Sequence, residues 1–129
     1  VHVDPTYSLL QTEIKPMSNQ QREAQMKVQK ENLLLLKKYH VPVTVGCDSY
    51  NLTAQTEIEY LRKLNIYNNL ELLKMWCEVT PSAIFTNRKI AKLQEGYEAS
   101  FLILSKNPLE NFEHAYNISL RVKQGVILW

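Results

Sequence analysis

The stretch that most constrains this chain runs from Ser18 to Asn51: a long helix former, a break at a proline, and at once the valine-rich segment "VPVTVGCDSYN". Asn19 to Tyr39 contains neither glycine nor proline, and its residues favour helix. Ser18 and Gln21 have the S-x-x-Q spacing in which each side chain satisfies the other's backbone N–H. Val28, Leu35 and Leu36 share a face next to Leu33 and Leu34, so this leucine-rich side is the expected core side. His40 followed by Val41-Pro42 ends the helix, because the residue before proline is pushed out of the α region. Val41 to Val45 is apolar at nearly every position, the pattern of a strand buried on both faces. Val1 to Val3 reads as a short strand before the helix, with Asp4-Pro5-Thr6 as its exit turn. The order strand–helix–strand is a βαβ unit, which implies parallel strands and a right-handed crossover.

That order says where a site belongs. Ligands of such folds bind outside the carboxyl ends of the strands. Asp48 lies at that end of the second strand, and Gly46 lets the backbone pass close to a neighbour or a ligand. On its own Asp48 is open between an Asx-turn residue and a site residue. His40, at the opposite end, is a poor candidate.

Downstream, Ile58, Leu61 and Leu64 recur at helical spacing within "TEIEYLRKLNI". In "NNLELLKMWCEV", Asn68 and Glu71 can cap, and Leu70, Leu73, Trp76 and Cys77 form an apolar stripe expected in the core. Thr80-Pro81 offers an N-cap with proline at the first helical position. After Asn87 the pattern turns β-like: "KIAKL", a Gln94-Glu95-Gly96 turn, then "SFLILS". Asn107-Pro108 breaks that run, and "LENF" has the makings of a helical turn. Ile118, Leu120 and Val122 alternate with Ser119, Arg121 and Lys123, and Gln124-Gly125 supplies a hairpin bend. The expected division is residues 1–86 and residues 87–129.

Composition excludes several classes. A chain of 129 residues holds one modest domain with a real core. A net charge of +2 without a Lys/Arg block argues against nucleic acid and anionic membrane as partners. No apolar run approaches the roughly 20 residues of a membrane span, so no transmembrane segment is expected. Cys47 and Cys77 lie far apart without CxxC spacing, which disfavours a zinc knuckle and leaves two buried thiols as the simple reading. Asn51-Leu52-Thr53 and Asn117-Ile118-Ser119 match the glycosylation sequon, a match common by chance. A chain that opens in mid-element at Val1 reads as a piece of something longer, and its localisation is then unreadable.

Taken together, these segments resemble the carboxyl-terminal part of amidohydrolase-superfamily enzymes. "VPVTVGCDSYN" resembles the eighth-strand segment of that family, a valine-rich strand, Gly, Thr or Ser, then Asp. "TEIEYLRKL" is similar to the helix after that strand, and "ELLKMWCEVTPSAIF" to the next helix and its Thr-Pro-Ala or Asn-Pro-Ala turn. "RKIAKLQEGYEASFLILSKNPL" resembles the family's Ile-Gly-x-Leu, Gly-x-x-Ala-Asp-Phe and Asn-Pro-Leu run, and "RVKQGVIL" its closing hairpin. The likeness covers nearly everything from Asn19 on and is greatest to the imidazolonepropionase-like and cytosine-deaminase-like branch. Cys47 stands where Thr or Ser is usual, Ala91 replaces the glycine of Ile-Gly-x-Leu, and Ser100 replaces the Asp before Phe101.

The resemblance implies an α/β fold: the last βα units of a metal-dependent (β/α)8 barrel of about 250 residues, followed by a few strands of a composite β-sandwich. Family metal ligands come from a His-x-His on the first strand, histidines on strands five and six, and an Asp on strand eight. Only Asp48 has a counterpart here, as metal ligand and as acceptor of a proton from the attacking water. His2 is a secondary ligand candidate, although "VHVDPTY" fits the seventh strand better, where Val-x-Pro-Thr is common; His114 is weaker. The implied parent is a hydrolase of non-peptide C–N bonds in an amide, a cyclic amide or an amino-substituted ring, acting through metal-activated water. Its implied cofactor is a divalent metal, zinc foremost, and this chain alone is expected to hold none and to be inactive. The expected partners are a small-molecule amide substrate in the parent and, for the chain, a second copy or the missing N-terminal part. The alternative is a non-catalytic truncated module that acts through self-association or protein binding.

Overall fold

A computed structural model describes residues 2–5, 17–47 and 52–128. The chain forms two compact units, Val1–Asn68 and Asn69–Trp129.

In the first unit, helix α1 spans Asn19–Lys38. Its start is the expected capping box: the Gln21 N–H donates to Ser18 Oγ (3.2 Å) and the Ser18 N–H to Gln21 Oε1 (2.9 Å). Its end is a Schellman motif, with the Val41 N–H on the Leu36 carbonyl (2.9 Å) and the His40 N–H on the Lys37 carbonyl (3.1 Å). His40 therefore takes a left-handed φ of 53°, the place where glycine is usual. Lys37 and Lys38 occupy the last turn, where the helix dipole favours cations.

The buried side of α1 takes in only part of the leucine-rich side. Leu33 and Gln29, one turn apart, are buried, Leu36 is half-buried, and Val28, Leu34 and Leu35 are exposed. Polar anchors from the following elements set this rotation. The Tyr60 hydroxyl donates to Gln29 Oε1, the Tyr67 hydroxyl to the Leu33 carbonyl (3.3 Å), and Lys37 Nζ to the Ile66 carbonyl (2.9 Å). Lys37 also lies 5.1 Å from the centre of the Tyr67 ring.

Helix α2, Ala54–Lys63, buries Ile58 and Leu61, with Leu64 just beyond it, as their spacing requires. The expected strand pairing is parallel and takes the form of a single bridge, Val3 to Val43. Val43, Thr44 and Val45 are all buried, which explains the near-continuous valines.

In the second unit, α3 (Asn69–Lys74) runs into a π-helical turn (Met75–Val79) and then α4 (Thr80–Ile84). Thr80 is helical rather than an N-cap. Its N–H and its hydroxyl both bond the Met75 carbonyl, the latter at 2.6 Å. Pro81 supplies the physical reason. A proline cannot donate to the carbonyl four residues back and its ring crowds it, and a wide turn relieves that conflict. Leu72 and Met75 are buried, whereas Leu70 and Cys77 of the expected stripe are exposed.

Strands β1 (Phe101–Leu104), β2 (Ile118–Lys123) and β3 (Val126–Leu128) form an antiparallel sheet in that order. Phe101 faces Val122 and Ile103 faces Leu120, with an irregularity between Ile103 and Leu104. The β2–β3 bend has φ 53° at Gln124 and 79° at Gly125, the two positive values of a type I′ turn. "KIAKL" is not a strand: Ala91 adopts φ 67°, which breaks an extended run. A short 3₁₀ turn, Phe112–Tyr116, buries Phe112 and sets Tyr116 edge-on to Trp76, ring centres 6.2 Å apart. Among the described residues no helix is long and apolar enough to cross a membrane.

Candidate functional site

The candidate site is the carboxyl end of the Val3 and Val43 segments. The Val3 N–H donates to the Pro42 carbonyl (3.1 Å) and the Thr44 N–H to the Val3 carbonyl (2.9 Å), which fixes the register of the two segments. The Thr44 hydroxyl adds a longer bond to the same carbonyl (3.3 Å). Asp4 thus follows the bridge on one segment as Thr44 does on the other.

Alternation places Thr44 and Gly46 on one side of the second segment. The neighbour that Gly46 accommodates is Asp4: a Cβ at position 46 would collide with the Asp4 carboxylate. The sequence marked Asp4 only as part of an exit turn. The signal that finds it is the register, because a residue just past a parallel bridge shares the carboxyl end with its partner strand. Cys47 is half-buried beside this point.

The predicted site residues are distributed as follows. Asp48 lies outside the described residues. His2 is exposed, on the amino-terminal side of the bridge. His40 serves the helix terminus. His114 belongs to the second unit, where its Nδ1 lies 2.9 Å from the Asn107 carbonyl. Among the described residues no three His, Cys, Asp or Glu side chains converge as a metal would require. The described residues therefore do not fit a divalent metal by themselves.

Two buried polar groups of the first unit escaped the sequence reading. Glu57 is fully buried within α2, and Gln29 receives the Tyr60 hydroxyl. Both sit at helical positions that apolar periodicity alone assigns no role.

No protein-family model matches the chain, and no curated protein matches it. Solved structures do. The crystal structure of a "putative prolidase" from Bifidobacterium longum is similar with a TM-score of 0.73 and 21% identity, over 98% of this chain and 34% of that one. The crystal structure of a protein described as uncharacterized is similar with a TM-score of 0.70 and 19% identity, over 99% of this chain and 35% of that one. The chain spans about a third of the length of the structures it matches, and what it shares with them is the fold.

Proposed function

We propose that this chain is the carboxyl-terminal part of a metal-dependent amidohydrolase, comprising barrel units over residues 1–86 and sandwich strands over residues 87–129. The observation that carries the reading is the parallel Val3–Val43 bridge across α1, within a fold that nearly all of the chain shares with proteins three times its length. The neighbour described as a prolidase supports a hydrolase, and the ordered motifs from "VPVTVGCDSYN" to "RVKQGVIL" support the amidohydrolase branch. The proposed reaction is hydrolysis of a non-peptide C–N bond in an amide, cyclic amide or amino-substituted ring.

Asp48 is the residue of this chain assigned to the chemistry. A divalent metal supplies an acidified water in such hydrolases; its remaining ligands are assigned to the rest of the fold, since the described residues do not form a set. Asp48 contributes one carboxylate: a ligand oxygen and a proton acceptor.

The test is an amide-hydrolysis panel with metal analysis on the complete reading frame, its Asp48→Asn variant, and the 129-residue chain. The complete protein is expected to hydrolyse an amide or cyclic amide and to contain metal. Asp48→Asn lowers the rate by about 10²–10⁴-fold, the span of a lost acid–base group. The chain alone shows no turnover and no stoichiometric zinc. Stoichiometric zinc in the chain, or full activity in Asp48→Asn, contradicts the proposal.

A further inference from the structure

We propose that Asp4 is a substrate-specificity residue: its carboxylate receives a cationic group, an ammonium or a guanidinium, on the amide that the complete protein hydrolyses. This rests on the hydrolase reading above and adds a class of substrate to it.

The placement comes from the register. Val3 pairs with Val43, and the Thr44 N–H donates to the Val3 carbonyl, so Asp4 is the first residue past the bridge on its own segment. Its side chain reaches further. Asp4 Cγ and Oδ1 each lie 3.2 Å from the point where a Cβ of residue 46 would stand, and Gly46 is three residues past the bridge on the partner segment. The carboxylate is thus carried towards the carboxyl end, the end at which parallel α/β folds bind their ligands. Gly46 makes the seat, because any other residue would put a Cβ into it. Asp4 is an exposed residue, open to a solute. In the sequence Asp48, the residue assigned to the chemistry, follows Gly46 by two positions, and two residues of chain span at most about 7 Å.

Charge selects the ligand. Residues 1–14 and 41–61, the stretches around the two paired segments, contain no lysine and no arginine. Neither stretch therefore brings a cation of its own to the carboxylates of Asp4 and Asp48. An anionic substrate group would meet repulsion from this pair, whereas an ammonium or guanidinium gains a charge-assisted hydrogen bond. A carboxylate accepts about four hydrogen bonds, so a local bond to Asp4 leaves capacity for a ligand donor.

Asp4→Asn is the informative variant, because asparagine keeps the shape and forms the same Asx turns while removing the charge. The complete reading frame, wild type and Asp4→Asn, is assayed on matched amides that end in a primary ammonium, in the same amine acetylated, or in a carboxylate. The kcat/KM ratio of the ammonium member to the acetylated member is expected to fall by about 10–100-fold in Asp4→Asn, with most of the change in KM. Asp4→Lys is expected to turn the preference towards the carboxylate member. Saturation-transfer NMR reads binding of the same amides with or without turnover. An ammonium preference that is equal in wild type and Asp4→Asn, in rate and in binding, overturns the inference. Failure of the ammonium member to bind does the same. So does loss of bound metal from Asp4→Asn, which would make Asp4 a metal ligand. Asp4-dependent binding of the ammonium member by a complete protein that hydrolyses no amide upholds the contact and defeats the hydrolase reading.

Discussion

Ala91 and His40 show how much a single backbone angle decides. Both hold left-handed φ values, 67° and 53°, that cost little for glycine and about 1 kcal/mol or more for a residue with a Cβ. The position of Ala91 is the one where the resembled family carries glycine, so the family pattern and the backbone give the same explanation. Ala91→Gly and His40→Gly are each expected to stabilise their unit by about 1 kcal/mol in denaturant titrations; unchanged midpoints would show that these angles are not held. Gly46 behaves in the opposite sense. Gly46→Ala makes the Asp4 carboxylate, the far end of a flexible side chain, turn aside, so its cost is expected to stay within about 1 kcal/mol and to vanish when Asp4→Gly is added. Glu98 adds a pH dependence. The Arg88 guanidinium, bonded to it at 2.8 and 2.5 Å, holds its carboxyl below the ordinary carboxylate range, with the Ser100 hydroxyl assisting. A carboxylate depressed in the folded state stabilises above its ordinary pKa, and that contribution fades as the pH falls through the folded value. Arg88→Gln should therefore raise the Glu98 titration midpoint in NMR. It should also bring wild type and variant to equal stability at strongly acidic pH.

At the scale of elements, the two corrected helix faces make a paired prediction. Leu33→Ala and Leu72→Ala remove fully buried side chains and are expected to cost about 2–5 kcal/mol each. Val28→Ala and Leu70→Ala, at exposed positions of the 129-residue chain, should stay within about 0.5 kcal/mol, the usual limit for surface changes. Urea unfolding of the four variants ranks them, and a large loss for Val28 or Leu70 would restore the faces expected from periodicity. The features legible in the sequence were those whose cause is local. The Ser18–Gln21 box, the Ile58–Leu61–Leu64 face and the Gln124-Gly125 bend each depend on residues a few positions apart. The rotation of α1 was not legible, because apolar residues occur on several of its sides. The choice among them is made by Tyr60 and Tyr67, about thirty positions downstream. The π-helical turn left one trace, Pro81, which admits either a new helix start or a widened turn; the Thr80 bonds to Met75 decide for the latter. Asp4 required the Val3–Val43 register before it joined the site end, and Asp48 was marked as catalytic by resemblance rather than by its neighbours.

At the scale of the whole molecule, the described residues hold a parallel bridge between two short segments, exposed Val28, Leu35 and Tyr39 on α1, and a three-stranded sheet. The exposed Leu102, Ile103, Val126, Ile127 and Leu128 on that sheet extend the pattern to the second unit. Two parallel strand segments cannot close a barrel, and catalysis at their carboxyl ends needs groups from other strands. We propose that the Val3 and Val43 segments are neighbouring strands of a larger closed barrel, with Asp48 at its carboxyl-terminal mouth. A crystal structure of the complete reading frame tests it most directly. Both segments are expected to pair on their outer edges with further parallel strands, and the Asp48 carboxylate to face the barrel axis. A structure in which residues 1–129 stand apart, with those outer edges unpaired, would contradict it.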